Sequence, residues 1–398
     1  MTATTILSPL THKPNVEPVA RYAPSITSDS RPTPGVADNY LCKDTGLLFN
    51  AAGTRGNESG FYQDEYVLHA ESVEAEFVHF DGGKAVGLYD NILDFIRNGV
   101  KLAGTGRVLD IGCGKGLLLN RFKRHHDAWK LHAIEPSKNA TGFFAKVMPE
   151  LNVFEGTFEN SPFVKEQFDF VMANGVLEHV PYPAEFLGRF AACMADKGFG
   201  FIGVPNFATN PADLITFDHL SKLTPNVIRD LFRKAGLRVV AEAVPGTRVP
   251  MWFIVQKDAK VAIEKEFASL EEERAIALRA KDYIDKSFAA VESAAKAARA
   301  DGTKLGVFGT GTVVFCAADH TEFKLSDISS IFEDNQSLWG QKRLGVPIRA
   351  SGDLATENVG HLFISANPCY YGTIQKRIAE VTRGLSNPPK VYLATGHG

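Results

Sequence analysis

At 398 residues the chain exceeds what one hydrophobic core usually serves, so two domains with connecting pieces are expected. A composition of 44% hydrophobic and 22% charged residues with a formal net charge of −3 is that of an ordinary soluble protein and gives no sign of a nucleic-acid partner. The five cysteines (Cys42, Cys113, Cys193, Cys316, Cys369) are odd in number and far apart with no CxxC pair. The chain also lacks a basic-then-apolar leader and any run of about 18 apolar residues, so a cytoplasmic protein is expected, without disulfides, a metal or a membrane segment.

Residues 1–38 carry Pro9, Pro14, Pro18, Pro24, Pro32 and Pro34, which break any period, and they read as a flexible or surface-draped arm without chemistry. Residues 39–100 read as a helical lead-in, since apolar side chains between Val86 and Ile96 recur at helical intervals. Over 101–257 strands and helices alternate, the pattern of a mostly parallel sheet covered on both faces. Strands are expected at Arg107 to Ile111, Lys130 to Ile134, Val153 to Glu155, Phe168 to Ala173, Gly198 to Val204, Leu237 to Val244 and Trp252 to Gln256. No helix fits between the last two, so they should pair antiparallel. Thr224 and Pro225 supply an N-cap and first-turn proline for a helix that Gly236 closes. The basic cluster from Arg121 to Lys130 reads as a solvated helix face. Residues 258–300 contain no Gly or Pro and read as one long helix or a helical pair acting as a spacer. Residues 301–398 alternate again and form a second, smaller α/β domain.

Three motifs carry the chemistry of the larger unit. In Val108-Leu-Asp-Ile-Gly-Cys-Gly-Lys-Gly116 a buried strand runs into Gly112, Gly114 and Gly116, which let backbone approach a ligand, with Asp110 just before them. Asp110 suits a ligand with a cationic amino-acid tail in place of a pyrophosphate. Some 25 residues later Glu135 ends the next strand, where a carboxylate accepts hydrogen bonds from a ribose diol. The third motif, Phe168-Asp-Phe-Val-Met-Ala-Asn-Gly-Val-Leu-Glu-His179, places Asn174, Glu178 and His179 at the carboxyl edge of the fourth strand, where α/β sheets hold reacting groups. Downstream, Phe217-Asp-His-Leu-Ser-Lys-Leu-Thr-Pro225 brings His219 to the same mouth.

The glycine motif resembles the first motif of class I S-adenosylmethionine (SAM)-dependent methyltransferases. The resemblance implies SAM as cofactor, held by Asp110, Gly112, Gly114, Gly116 and Glu135, with Asn174 alongside and with Thr157 and Phe158 of Phe154-Glu-Gly-Thr-Phe-Glu159 as the adenine contacts. It also implies that His179, Glu178 and His219 sit at the reacting end. A sulfonium gives up its methyl without acid help, so such an enzyme must align its substrates and remove a proton; His179 is the candidate base and His219 an orienting group.

In the C-terminal unit Lys304-Leu-Gly-Val-Phe-Gly-Thr-Gly-Thr312 is again a strand entering glycines, although Val314 stands where a dinucleotide motif has its third glycine. With Ile331-Phe-Glu-Asp-Asn335 and Leu344-Gly-Val-Pro-Ile348 this resembles the C-terminal domain of sugar C-methyltransferases, which implies a nucleotide-linked sugar or glycan precursor as small-molecule substrate. Members of that family open with a four-cysteine zinc module, whereas here the segment from Tyr40 to Phe49 holds Cys42 as its single cysteine. Two alternatives remain open at this stage. One is a nicotinamide-dependent oxidoreductase acting through Gly309 to Thr312; the other is a non-catalytic protein that binds SAM or a sugar nucleotide. Neither the acceptor atom nor the oligomeric state is legible.

Overall fold

The computed structural model describes residues 5–52, 78–81, 84–138, 140–141, 148–246, 250–258, 260–261, 267–394 and 396–397. At its centre seven strands form one sheet: β4 (Arg107–Ile111), β5 (Lys130–Glu135), β6 (Asn152–Glu155), β7 (Phe168–Asn174), β8 (Met194–Pro205), β10 (Leu237–Ala243) and β11 (Pro250–Lys257). Their spatial order is β6-β5-β4-β7-β8-β11-β10, parallel except that β11 runs against both of its neighbours. The seven strands and the closing hairpin expected from sequence are all present.

Side chains alternate across the sheet, as a strand's two-residue period requires. Val108, Phe170 and Met172 face α1 (Leu88–Gly99) and α2 (Leu117–His125), through Ile92, Ile96, Leu119 and Phe122. Leu109, Ile111, Val171 and Ala173 face α3 (Pro183–Cys193) and α4 (Pro225–Lys234), through Phe186, Phe190, Ile228 and Phe232. The cap on α4 forms as expected: the Val227 N–H donates to Thr224 Oγ1 at 3.3 Å, and Gly236 adopts φ +67° beyond the helix.

The N-terminal region departs from expectation. In place of a draped arm and a helical lead-in, β1 (Val16–Tyr22), β2 (Ala37–Cys42), β3 (Leu48–Asn50) and β9 (Ser221–Lys222) form an antiparallel sheet in that order. The prolines do not prevent this, because Tyr22 and Ile26 between them, with Ala37 and Leu41 just beyond, are buried against other parts of the molecule. Among the described residues of the lead-in, helix appears only at α1, in its last part; residues 53–77, 82 and 83 lie outside the described residues.

The expected spacer is also a core element. Ser269 caps α5 (Leu270–Asp301), which runs for 32 residues, and its backbone begins twelve residues later than the absence of Gly and Pro suggested. Ile276, Ala280, Ile284, Phe288, Val291, Ala295 and Ala298 are buried along it in one apolar cluster with Tyr22, Leu41 and Leu214 and with the C-terminal sheet. That sheet is built on β12 (Lys304–Phe308), β13 (Ile328–Glu333), β14 (Val346–Ala350), β15 (Val359–Ile364) and β16 (Lys390–Leu393). These five are parallel in the order β14-β13-β12-β15-β16, edged by the antiparallel pieces Lys342–Arg343 and Gly396–His397, with α6 (Thr312–His320) and α7 (Tyr371–Val381) in the crossovers. The order therefore reverses between β12 and β15, which puts Gly309 to Gly311 at the switch point. No described helix is long and apolar enough to cross a membrane.

Candidate active site

A cavity of about 790 Å³ opens at the carboxyl ends of β4, β5 and β7. Of the candidate residues Asp110, Gly112, Gly114, Gly116, Glu135, Thr157, Phe158, Asn174, Glu178, His179 and His219, all but Gly116 line it. Gly116 instead takes φ +69° one residue before α2 and turns the chain into the helix. Gly112 and Gly114 also have positive φ, +66° and +55°, and a Cβ on Gly112 would meet Val176 Cγ2 at 2.6 Å, so the loop's path needs glycine there.

One half of the cavity is a pair of buried carboxylates. Asp110 is 2% exposed, and burial followed by the charge of Glu135 pushes its pKa up to about 8. Glu135 is raised by burial too, though less freely, because its two oxygens accept the N–H groups of Gly114 (2.7 Å) and Ser137 (2.9 Å). These bonds fix the carboxylate and leave each oxygen a second lone pair. Cys113, beside them, is held in the thiol form by burial and then by both carboxylates. Among the expected adenine contacts, Thr157 precedes the short 3₁₀ turn Phe158–Asn160, and the Phe158 ring stacks edge-on against Phe186 at 5.3 Å.

At the other half, Glu178 and His179 end the turn after β7, and the loop from Pro211 to Lys222 folds over them. Leu220 N–H donates to Glu178 O at 2.7 Å, and the His179 and His219 rings meet edge to face at 4.7 Å. His219 Nδ1 is hydrogen-bonded to the Asp213 carboxylate, while His179 Nδ1 donates to the backbone carbonyl of Asp218 at 2.9 Å. Both imidazoles therefore carry their ring proton at Nδ1, and the two respond differently to their surroundings. Burial, then the neighbouring His219, lowers His179 to about 4, so it is neutral near pH 7. Burial also works against charge on His219, but Asp213, Asp218 and Glu178 outweigh it and hold its pKa above the ordinary histidine value. Asp213 is correspondingly kept low, burial being overcome by His219 and by Lys222. Glu178 is raised to about 7 by burial, and its Oε2 has no hydrogen-bond partner among the described residues. Among the described residues, donor atoms of Glu178, His179 and His219 all fall within 4.8 Å of one another, close enough for the three side chains to share a bound cation or a proton.

Several lining groups had no sequence signal read from them. Ser28 and Asp29 come from the supposed arm, and Tyr89, Tyr182 and Arg189 from the surrounding helices and turns. Asp213 was findable in principle, since a carboxylate six residues before His219 on a short loop is a natural partner for it. In the C-terminal unit Val314 is wholly buried, where a dinucleotide motif would carry glycine. Glu333, at the end of β13, accepts the Asp334 and Asn335 N–H groups at 2.9 and 3.2 Å, much as Glu135 does in the larger sheet.

Residues 87–242 match a family model described as a methyltransferase domain. Ubiquinone biosynthesis O-methyltransferases from two strains of Rhodopseudomonas palustris are 39% identical over 110 residues and 34% identical over 113 residues; the matches cover 26% and 25% of this chain. They span 42% and 40% of those proteins, so the chain matches about two fifths of the length of these relatives. Among solved structures, a SAM-dependent methyltransferase from Clostridium acetobutylicum has a TM-score of 0.36 at 9% identity, covering 43% of this chain and 90% of that one. A possible histamine N-methyltransferase from Thermotoga maritima has a TM-score of 0.35 at 19% identity, covering 43% and 89%.

Proposed function

We propose that this chain transfers a methyl group from SAM to a small molecule. The observation that carries this reading is that one cavity holds both a carboxylate-rich glycine loop and a buried cluster of proton acceptors. SAM supplies an electrophilic methyl on a sulfonium. Asp110 and Glu135 fit it because two buried carboxylates favour a cationic ligand and disfavour a pyrophosphate. Glu135, fixed by Gly114 and Ser137, takes the ribose, with Thr157 and Phe158 toward the adenine and Asn174 alongside.

At the acceptor end we assign the proton to His219. Its Nδ1 is tied to Asp213, which orients the ring and stabilises the imidazolium that forms, the arrangement a general base needs. His179, the base favoured by sequence, is too weak a proton acceptor in this setting, and we assign it to orient the acceptor beside His219. The C-terminal unit grips the remainder of the substrate. The Gly309 to Gly311 switch point and Glu333 support a nucleotide there, and with it a nucleotide-linked sugar or glycan precursor. Similarity to ubiquinone biosynthesis O-methyltransferases favours a second reading, O-methylation of an aromatic hydroxyl. The nicotinamide alternative gains no support.

Incubation of the protein and SAM with separate panels of sugar nucleotides and dihydroxy-aromatics, followed by mass spectrometry, tests the reading. A methylated sugar nucleotide supports the first substrate class and a methylated phenol the second. If calorimetry finds no SAM binding, the function itself is wrong.

A further inference from the structure

Ser28 lies 190 residues before Asp218, yet its N–H and Oγ donate to the two oxygens of the Asp218 carboxylate, both at 2.6 Å. That carboxylate is 3.7 Å from His179 Nδ1, and the same residue's carbonyl accepts the His179 Nδ1 proton. The loop around Ser28 is fastened on three sides. Ile26 bridges Thr216 and accepts the Phe217 N–H at 2.7 Å; Asp29 is bound by Thr27 Oγ1 and by Arg31 Nε; and Arg343 Nη2 of the C-terminal sheet donates to Asp29 O at 2.6 Å. Arg343 is itself seated with its guanidinium over the Phe315 ring, 5.6 Å from the centroid. Ser28 and Asp29 both line the main cavity.

We infer that Ser28 is a positioning residue of the acceptor end, holding the Asp218 carboxylate away from His179 so that this imidazole stays neutral beside His219, and that Arg343 fastens the loop from the C-terminal sheet. The charged and titratable groups facing His179 are Asp218, Asp213, His219 and Glu178, with the Lys222 ammonium held on the His219 carbonyl at 2.6 Å. Without the Ser28 hydroxyl, a carboxylate that is 3% exposed loses one of its two donors from that loop. The carboxylate, 3.7 Å from His179 Nδ1, can then close on that ring, and the approach is most favourable when the imidazole carries its charge. The His179 titration must then move upward and, by repulsion between the rings, that of His219 downward. Only the consequence for turnover rests on the methyl-transfer reading; the hydrogen-bond argument does not.

The test is an NMR titration of the histidine ring nitrogens in the substrate-free full chain, so its failure is separate from failure of the methyl-transfer assay. Ser28→Ala is expected to raise the His179 midpoint by about half to one pH unit, the loss of one hydrogen bond expressed as a titration shift. Ser28→Thr, which keeps the hydroxyl, should restore the wild-type midpoint. Arg343→Gln should shift it the same way by a smaller amount, and this arm decides the matter if Ser28→Ala does not fold. Unchanged midpoints in a folded Ser28→Ala chain, or equal shifts in the Ala and Thr variants, would overturn the proposal.

Discussion

Two carboxylates and two imidazoles bring opposite charge preferences into one cavity, and each makes a measurable pH signature. Asp110, raised to about 8 by burial and Glu135, is mostly protonated at pH 7 before a ligand arrives. A cationic ligand favours the ionised form, so binding releases a proton below about pH 8 and SAM affinity should climb with pH up to that point. Calorimetry in buffers of different ionisation enthalpy measures the proton directly; a pH-independent affinity would remove Asp110 from the site. On the acceptor side, the base must lose its proton before it can work. With His219 as base and its pKa raised by Asp213, the acid limb of the rate profile should lie above about 6.5 and disappear in His219→Asn, with a loss of ~10²–10⁴-fold in turnover. A limb that instead follows His179→Asn returns the role to the residue first suggested by the motif. Identity and spacing revealed which residues meet here. The assignment between the two histidines was not legible, because it depends on how the loop folds the Asp213 carboxylate onto His219 and the Asp218 carbonyl onto His179, and neither contact leaves a periodic trace.

Among the elements, those with strong local signals were the legible ones. The seven central strands, the Thr224 cap and the closing hairpin follow from alternation, turn residues and the lack of a helix between β10 and β11. The N-terminal strands were missed because what completes and covers their sheet is distant: β1, β2 and β3 pair in sequence, but β9 pairs with β3, and Asn39 Nδ2 donates to Leu214 O at 2.8 Å, contacts that no short window contains. The long helix α5 was legible as a helix, but its role was not, since a stripe of alanines and scattered large residues looks like a spacer until something covers it. Because Ile284 is fully buried in the cluster joining N-terminal strands and C-terminal sheet, Ile284→Ala should cost about 2–5 kcal/mol in chemical unfolding. Hydrogen exchange should show β1 and β2 losing protection together with β12 and β15. Loss confined to the C-terminal strands would mean that the N-terminal sheet does not depend on this core.

At the scale of the molecule, the larger sheet has a core on each face, one of which also takes in Cys42 and Phe49 of the N-terminal sheet, whereas the opposite side of that sheet, α5 and the C-terminal sheet share a third. This division gives the C-terminal unit two separable parts to play: it completes the core that steadies the loop bearing Asp213 and His219, and in the proposed function it holds substrate. A chain ending after Ala300 loses Leu305, Phe308, Phe315, Phe332 and Phe363 from that core. It should retain SAM binding through the larger sheet, lose methyl transfer, and show disordered His179 and His219 ring signals. Loss of SAM affinity would mean that the larger sheet cannot stand alone. Truncation by itself does not distinguish a missing grip on substrate from a collapsed loop. Glu333→Gln in the full chain does, because it keeps the volume and removes the charge at the β13 end without touching the shared core. If that unit grips a nucleotide, KM should rise several-fold with kcat and the histidine signals unchanged; if the variant matches wild type, the C-terminal sheet acts on catalysis only through the core it completes.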